Sequence, residues 1–209
     1  MNIDIYGALT ALAIAAALLA AASIVWTSWR NGITPMPSSF LVRRAVVEEL
    51  NRTGQGGLLV EAGSGWGTLG IHLGRRCKGW RVEGVENSPL PLAASKIAAW
   101  LAARKRRRAG DADGFAVSFR KGDIYDVSYR EARAVVCYLY PGAMKRLSPL
   151  LAEQLSPGAF VVSVCFALPD WQPERVITCA DLYRTRIYVY KCAMSSLLPE
   201  RLRDQKRTF

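Results

Sequence analysis

The sequence contains few of the residues that hydrolytic and metal-dependent sites require. Its single histidine is His72, so neither a serine–histidine–aspartate triad nor a histidine-based metal site is expected. The five cysteines are scattered and include no Cys-x-x-Cys pair, which is typical of free thiols in a reducing compartment. We therefore expect no metal centre and no disulfide framework.

Acidic residues are also scarce, with 17 Asp and Glu against 28 Lys and Arg and a formal net charge of +11. The length of 209 residues allows one catalytic domain and a short appendage. The densest basic run is RKRRR at 104–108. Two interpretations stay open for it: a solvated helix end that suits the helix dipole, and contact with anionic lipid head groups. Because no aromatic residues interleave this run, nucleic-acid binding is not expected.

Charge is absent from residues 5–25, which are mostly Ala, Leu and Ile. This segment is long enough to cross a bilayer as a helix, and Trp26 and Trp29 suit the membrane interface that would follow. We therefore predict a transmembrane anchor at residues 1–30. A cleaved signal peptide is the alternative, but the segment has no cationic side chain before its apolar run.

The charges that flank this segment predict its orientation. The amino-terminal side offers only Asp4, whereas Arg30, Arg43 and Arg44 follow the segment. Under the positive-inside rule, the rest of the chain faces the cytoplasm. The expected protein is a single-pass membrane protein with a cytoplasmic domain.

Beyond the anchor, short apolar runs alternate with helical patterns. This alternation is typical of an α/β, doubly wound domain with a mostly parallel sheet, and the short gap between the last two strands allows an antiparallel hairpin. The predicted helices lie at 40–50, 68–76, 92–108 and 145–154. The predicted strands lie at 58–62, 81–86, 116–120, 134–139, 159–165, 175–179 and 186–190.

The most informative feature is an acidic residue followed by a glycine-rich turn at the end of the first predicted strand. Residues 60–67 read VEAGSGWG, and the second strand ends in Val-Glu-Asn. The glycines let the backbone turn sharply and approach a ligand, and Glu86 is placed to hydrogen-bond a ribose diol. The pattern predicts a site for an adenosine-containing cofactor formed by Glu61, Gly63, Ser64, Gly65, Gly67, Glu86 and Asn87.

Two cofactor classes fit this pattern. A dinucleotide fold requires G-x-G-x-x-G facing a pyrophosphate, whereas the glycines from Gly63 to Gly70 are spaced as G-x-G-x-G-x-x-G. Glu61 stands two positions before the first glycine, where a carboxylate would repel a pyrophosphate. The same carboxylate suits a ligand that carries an ammonium and a sulfonium. The motif therefore favours S-adenosyl-L-methionine over NAD.

Two further segments follow later strands of the predicted sheet. Asp123 can accept a hydrogen bond from an adenine amine, and Ile124 can cover the ring. Tyr138, Tyr140 and Pro141 lie just past the fourth strand, at the edge where α/β sheets bind ligands. Aromatic rings and backbone carbonyls there can hold a neutral amine in line with a methyl sulfonium. We assign the first pair to the cofactor site and the other three residues to catalysis.

These motifs resemble the membrane-anchored class I methyltransferases that modify lysine in the adenine nucleotide translocase and in the c-ring protein of ATP synthase. The similarity runs over residues 34–191. One segment departs from the family, because Trp66-Gly67-Thr68 stands where an acidic residue and Gly-Arg are usual. The matching segments are TPMPSS at 34–39, EAGSG at 61–65, GVEN at 84–87, FRKGDIY at 119–125, YLYP at 138–141, LSPGA at 155–159 and LPDWQP at 168–173.

The resemblance implies a seven-stranded, Rossmann-like methyltransferase fold, S-adenosyl-L-methionine as cofactor, and lysine of a membrane-associated protein as substrate. We expect an entry loop and helix at 31–57, a methyltransferase domain at 58–192 and a polar tail at 193–209. Two alternatives stay open: methylation of a lipid or small amphiphile, and a catalytically weak membrane scaffold. Trp66 keeps the scaffold alternative open, because it lies at the expected methionine end of the cofactor.

Overall fold

The structure is a computed structural model that describes residues 5–31, 38–110 and 115–192, without the side chains of residues 27–31. Most of the predicted entry loop and the predicted tail at 193–209 lie outside the described residues. The interfacial position predicted for the Trp29 side chain lies outside them as well.

The described residues form five helices and seven strands. The helices are α1 Ile5–Asn31, α2 Phe40–Arg52, α3 Thr68–Arg76, α4 Pro89–Arg108 and α5 Pro141–Gln154. The strands are β1 Gly57–Ala62, β2 Trp80–Glu86, β3 Ala116–Lys121, β4 Ala132–Cys137, β5 Phe160–Val164, β6 Arg175–Thr178 and β7 Arg186–Lys191.

The seven strands form one sheet in the order β3-β2-β1-β4-β5-β7-β6. The first five strands are parallel, and β7 is antiparallel to both β5 and β6. The predicted doubly wound α/β sheet and its closing antiparallel hairpin are therefore confirmed. The strand order reverses between β1 and β4, and ligands of open α/β sheets bind beyond the carboxyl ends of the strands at such a point.

Three predicted boundaries around the fourth strand are wrong. β4 covers Ala132–Cys137 rather than 134–139, because pairing with β1 stops where Ala62 faces Cys137. The following helix begins at Pro141 rather than at 145. Proline suits this first turn because its missing amide would have no partner inside the helix. Residues 138–140 therefore form a short connection between the sheet and α5.

Helices cover both faces of the sheet. Successive side chains of β1 point to opposite faces, so each face packs against a different set of helices. Leu59 packs with α2 and α3 on one face, whereas Val60 packs with Met144 and Leu147 of α5 on the other. α4 joins the first face through Leu92, Ala99 and Ala102, which pack against β3 and α3. The buried strands read as continuous apolar runs because both faces are covered.

α1 is long and apolar enough to cross a membrane, over Ile5–Trp26 with a mean hydropathy of 2.4. It touches α4, and its described side chains are exposed except for Ala20, Ser23 and Ile24, which are half-buried. A helix that buries little of its apolar surface in the protein core would gain that burial in a bilayer.

Candidate functional site

The carboxyl ends of β1, β2, β3 and β4 surround a cavity of about 420 Å³. Strand register places these ends side by side, because Ala62 pairs with both Val85 and Cys137, and Glu86 pairs with Lys121. The cavity wall contains most of the residues that the sequence assigned to a site, namely Glu61, Gly63, Ser64, Gly65, Glu86, Asn87, Asp123, Ile124, Tyr138 and Tyr140.

Glu86 holds the glycine turn against the end of β2. Its Oε2 accepts a hydrogen bond from the Gly65 amide at 2.7 Å, and its Oε1 accepts one from the Ser88 amide at 2.8 Å. The side chain is 6% exposed, so these two amides replace water as partners of the carboxylate. Each oxygen keeps a further acceptor position. Glu86 is therefore a fixed carboxylate on the cavity wall that can accept hydrogen bonds from a diol.

Glu61 is the other buried acid of the cavity, with 4% exposure. Burial raises the pKa of Glu61 to about 8, the backbone amide of Gly70 partly offsets this rise, and the carboxylate of Glu86 adds to it. A cation that entered the cavity would favour the ionised form.

Three buried polar atoms of the cavity wall have no hydrogen-bond partner among the described residues. They are the hydroxyl oxygens of Ser38 and Ser64 and Oε2 of Glu61. Such atoms cost folding free energy unless a ligand or water pairs with them. Their common location on one cavity indicates a polar ligand.

The turn after β3 carries the residues predicted to surround an adenine ring. Asp123 is exposed at the cavity edge, and its Oδ1 accepts a hydrogen bond from the Tyr125 amide at 3.0 Å. Ile124 is half-buried beside it. This arrangement presents one carboxylate and one apolar side chain to the same part of the cavity.

Tyr138 and Tyr140 also line the cavity, in the connection between β4 and α5. Burial raises the pKa of Tyr138, and Cys165, Asp181 and Tyr183 add to the rise, so this phenol stays protonated. Pro141 is exposed, begins α5 and does not line the cavity. The structure thus places the two aromatic rings at the site and leaves the proline outside it.

Gly67 also lies outside the cavity wall, in contrast to Gly63 and Gly65. It adopts a φ of +74°, and a Cβ atom there would lie 2.7 Å from both Phe119 and Ser95. Gly67 therefore allows α3 to pack closely on its neighbours. At Gly63, with a φ of +75°, the added atom would lie 2.7 Å from the side chain of Leu139 on the cavity wall.

Tyr125 and Arg146 line the cavity, although neither was assigned a role from the sequence. The Arg146 guanidinium lies 3.8 Å from the centre of the Tyr125 ring, and both residues line the cavity. The Tyr125 phenol has a pKa raised by burial, an effect that Arg146 partly offsets. The position of Tyr125 directly after the predicted Asp-Ile pair was an available signal, whereas nothing in the sequence pairs it with a residue of α5.

Trp66, the family departure noted in the sequence, also lines the cavity, and further parts of the wall come from the segment after β5 and from the segment before α2. Cys165 and Phe166 follow β5, and Ser38 precedes α2.

All five cysteines are free thiols, and all except Cys165 are buried. His72 lies on α3, where its ring packs edge-on against Phe40.

The sheet order and the position of this cavity define a class I methyltransferase fold. The family described as the ANTKMT methyltransferase domain matches residues 61–175, which is more than half of the chain. The chain therefore belongs to this family.

Two curated relatives carry lysine methyltransferase names. The chain is 32% identical over 124 residues to the adenine nucleotide translocase lysine N-methyltransferase of Mus musculus, covering 59% of this chain and 50% of that protein. It is 29% identical over 120 residues to the lysine N-methyltransferase of the ATP synthase c-ring protein in Xenopus laevis, covering 57% and 48%. The chain thus spans about half the length of these curated relatives.

Solved structures share the fold. An RNA methyltransferase from Salinibacter ruber in complex with S-adenosyl-L-homocysteine is 30% identical, with a TM-score of 0.59, covering 79% of this chain and 97% of that chain. Magnesium protoporphyrin IX methyltransferase from Synechocystis PCC 6803 with bound S-adenosylmethionine is 20% identical, with a TM-score of 0.55 and coverage of 80% and 91%. The second likeness shows the fold alone.

Proposed function

We propose that this chain is an S-adenosyl-L-methionine-dependent methyltransferase that methylates lysine side chains of a membrane-associated protein. The observation that carries the proposal is the pair of buried carboxylates on one cavity wall. Glu86 is fixed by two backbone amides, whereas Glu61 has an unpartnered oxygen. The names of the curated relatives support lysine as the substrate.

The residues of the cavity fit this cofactor by their donor and acceptor chemistry. Glu86 and Asn87 offer acceptors for a ribose, Asp123 offers one for an adenine amine, and Ile124 offers an apolar surface for the ring. Glu61 supplies negative charge for the cationic methionine end, beside the unpartnered Ser64 hydroxyl. When bound, the cofactor supplies an electrophilic methyl group on a sulfonium.

The task left to the chain is to present a neutral amine without water. Tyr138 and Tyr140 form an aromatic wall in the connection that follows β4. An apolar, dry wall lowers the pKa of a lysine amine because it disfavours the charged form. Positioning and desolvation of this amine are the main requirements for methyl transfer, so a dedicated strong base is not required.

α1 would hold the enzyme at its substrate as a single-pass anchor within residues 1–30. The support is its length and hydropathy over Ile5–Trp26 and the exposure of its apolar side chains. The charge asymmetry around this segment supports a cytoplasmic position for the methyltransferase domain, residues 58–192. The loop and helix at 31–57 would then connect the anchor to the cavity, since Ser38 lies on the cavity wall.

RNA methylation is a second candidate. It is favoured by the likeness to the Salinibacter ruber enzyme, which this chain covers almost completely, and by the net charge of +11. A basic surface supplies the sequence-independent part of RNA affinity. Lysine remains the first choice because the curated relatives are named for it.

Labelling of cell fractions tests the proposal. Full-length protein and radiolabelled S-adenosyl-L-methionine are incubated with membranes of a strain that lacks the gene, and protein, lipid and RNA are extracted separately. We expect a discrete labelled protein band that the Glu86→Ala variant does not produce. Label in RNA or lipid alone would move the assignment to those substrates. Cofactor binding without label in any fraction would favour the scaffold alternative.

A further inference from the structure

The outer face of α4 combines exposed apolar side chains with a basic end. Ile97, Trp100 and Leu101 are 60%, 53% and 52% exposed. The opposite side of the same helix packs against the protein core. Apolar residues of this size seldom cluster on a solvent-facing helix surface without a partner. We call the stripe formed by Ile97, Trp100, Leu101, Arg104 and Arg108 the α4 outer face.

Helical spacing places these residues on one line. The intervals of three, four, seven and eleven residues from Ile97 bring them to the same side of the helix. The Arg104 guanidinium lies 5.2 Å from the centre of the Trp100 ring, so the apolar and basic parts of the stripe adjoin. Lys96, Lys105 and Arg107 flank the stripe and are exposed.

The charge of α4 has one sign. The helix contains six basic residues, Lys96, Arg104, Lys105, Arg106, Arg107 and Arg108, and no acidic residue. Such a helix attracts an anionic surface. Aliphatic and indole side chains beside the charges match the boundary between head groups and acyl chains, where amphipathic helices lie with their apolar face inserted.

The neighbour of α4 supports a bilayer over a nucleic acid. α4 touches α1, the helix proposed above as the membrane anchor, so α4 lies near the bilayer if that anchor is inserted. RNA would use the basic end and could stack on Trp100, but it offers no partner for Ile97 and Leu101. The membrane accounts for both halves of the stripe.

We propose that the α4 outer face is an interfacial docking surface that lies on an anionic phospholipid membrane. This inference rests on the anchor part of the proposed function. Its consequence is a fixed orientation, because α4 begins at the cavity edge, where Ser88 lines the wall, and runs away from it to the basic end. Two attachments, α1 and α4, would prevent free rotation of the domain and hold the cavity mouth close to the head groups.

Lipid photo-cross-linking tests this surface in the full-length chain. The protein carries p-benzoylphenylalanine in place of Ile97 and is reconstituted into nanodiscs of phosphatidylcholine with or without phosphatidylglycerol. Lys145 is replaced in a second protein as a control, because it is exposed on α5, which packs on the other face of the sheet. Leu12 of α1 is replaced in a third protein to report the anchor.

We expect lipid adducts at position 97 that exceed those at position 145 by about fivefold or more in the anionic nanodiscs. The excess should fall several-fold without phosphatidylglycerol. It should also fall in the variant that combines Arg104→Glu, Arg107→Glu and Arg108→Glu. The matched variant Arg130→Glu, Arg133→Glu and Lys145→Glu removes the same charge from exposed positions elsewhere and should retain it.

Equal adducts at positions 97 and 145 would overturn the inference, as would a position 97 signal that ignores lipid charge and both charge variants. Cross-linking of position 97 to added single-stranded RNA in place of lipid would also overturn it. Adducts at position 12 without adducts at position 97 would contradict the α4 docking surface but support the anchor. Adducts at neither position would contradict the anchor as well. Circular dichroism and thermal unfolding confirm that each variant is folded.

Discussion

The amide of Gly65 donates a hydrogen bond of 2.7 Å to Oε2 of Glu86, and this bond joins the glycine turn after β1 to the end of β2. The second oxygen accepts from the Ser88 amide, so the carboxylate is positioned before any ligand binds. A preorganised acceptor loses little freedom on binding, which favours affinity. The relationship explains why an acidic residue at the end of β2 and a glycine in the turn after β1 belong to one site.

Replacement of Glu86 by Ala should weaken S-adenosyl-L-methionine binding by about ten- to a hundredfold, since a charge-assisted hydrogen bond contributes roughly 1.5–3 kcal/mol. Isothermal titration calorimetry measures the change. Glu83→Gln is the matched control, because Glu83 lies on the same strand but forms an ion pair with Arg120 outside the cavity wall. An affinity that Glu86→Ala leaves unchanged would contradict the site assignment.

The pH dependence of cofactor affinity should report Glu61. Its pKa is raised to about 8 in the ligand-free protein, so the carboxyl is mainly protonated at lower pH and must lose a proton to face a cation. Affinity should therefore increase with pH, by up to about tenfold per unit below about pH 8, and level off above it. In the Glu61→Gln variant, the pH profile of cofactor affinity should show only the titration of the ligand's own amine. Identical profiles for the two proteins would show that Glu61 does not sense the ligand.

Gly67→Ala should reduce the free energy of unfolding more than Gly54→Ala. Both glycines have positive φ, and that strain costs about 1–2 kcal/mol for an alanine. At Gly67 the added methyl group also meets Phe119 and Ser95, whereas no atom lies within 4 Å of it at Gly54. We expect an additional loss of about 1–3 kcal/mol for overpacking, measured by urea unfolding. Equal losses would mean that the contact with Phe119 relaxes without cost.

Tyr138 should act through its ring rather than through its hydroxyl. Tyr138→Phe keeps the aromatic wall and should retain most of kcat, whereas Tyr138→Ala should lose about a hundredfold, which is the cost of a misplaced nucleophile. Cofactor affinity should change little in either variant. Initial rates with a lysine peptide and calorimetry with the cofactor separate the two effects. A loss in Tyr138→Phe as large as that in Tyr138→Ala would assign the role to the phenol.

The sequence predicted those parts of the fold that depend on local patterns. Runs such as Leu59–Val60 and Val135–Val136 identify buried parallel strands, because both sheet faces are covered and most of the buried side chains are therefore apolar. The end of β4 was missed because Leu139 extends the apolar run beyond the last strand pair. Pairing, which no local pattern encodes, decides where such a run stops being a strand.

The site was predicted where a residue type and a strand end coincide, as for Glu61, Glu86 and Asp123. Gly67 was assigned to the cofactor because a glycine pattern does not reveal which side of the turn each glycine faces. The contact between Arg146 and Tyr125 was missed because it joins α5 to the turn after β3, two elements that only the tertiary fold brings together. Long-range pairs of this kind require the three-dimensional structure.

Mass spectrometry of a labelled substrate decides whether the chain methylates lysine. Wild-type protein and the Glu86→Ala variant are incubated with gene-deficient membranes and S-adenosyl-L-methionine that carries a deuterated methyl group. We predict deuterated methyl groups on the side-chain nitrogen of one or more lysines in a membrane protein, formed by the wild type and absent with the variant. Deuterated methyl groups confined to RNA, lipid or residues other than lysine would contradict the proposed function.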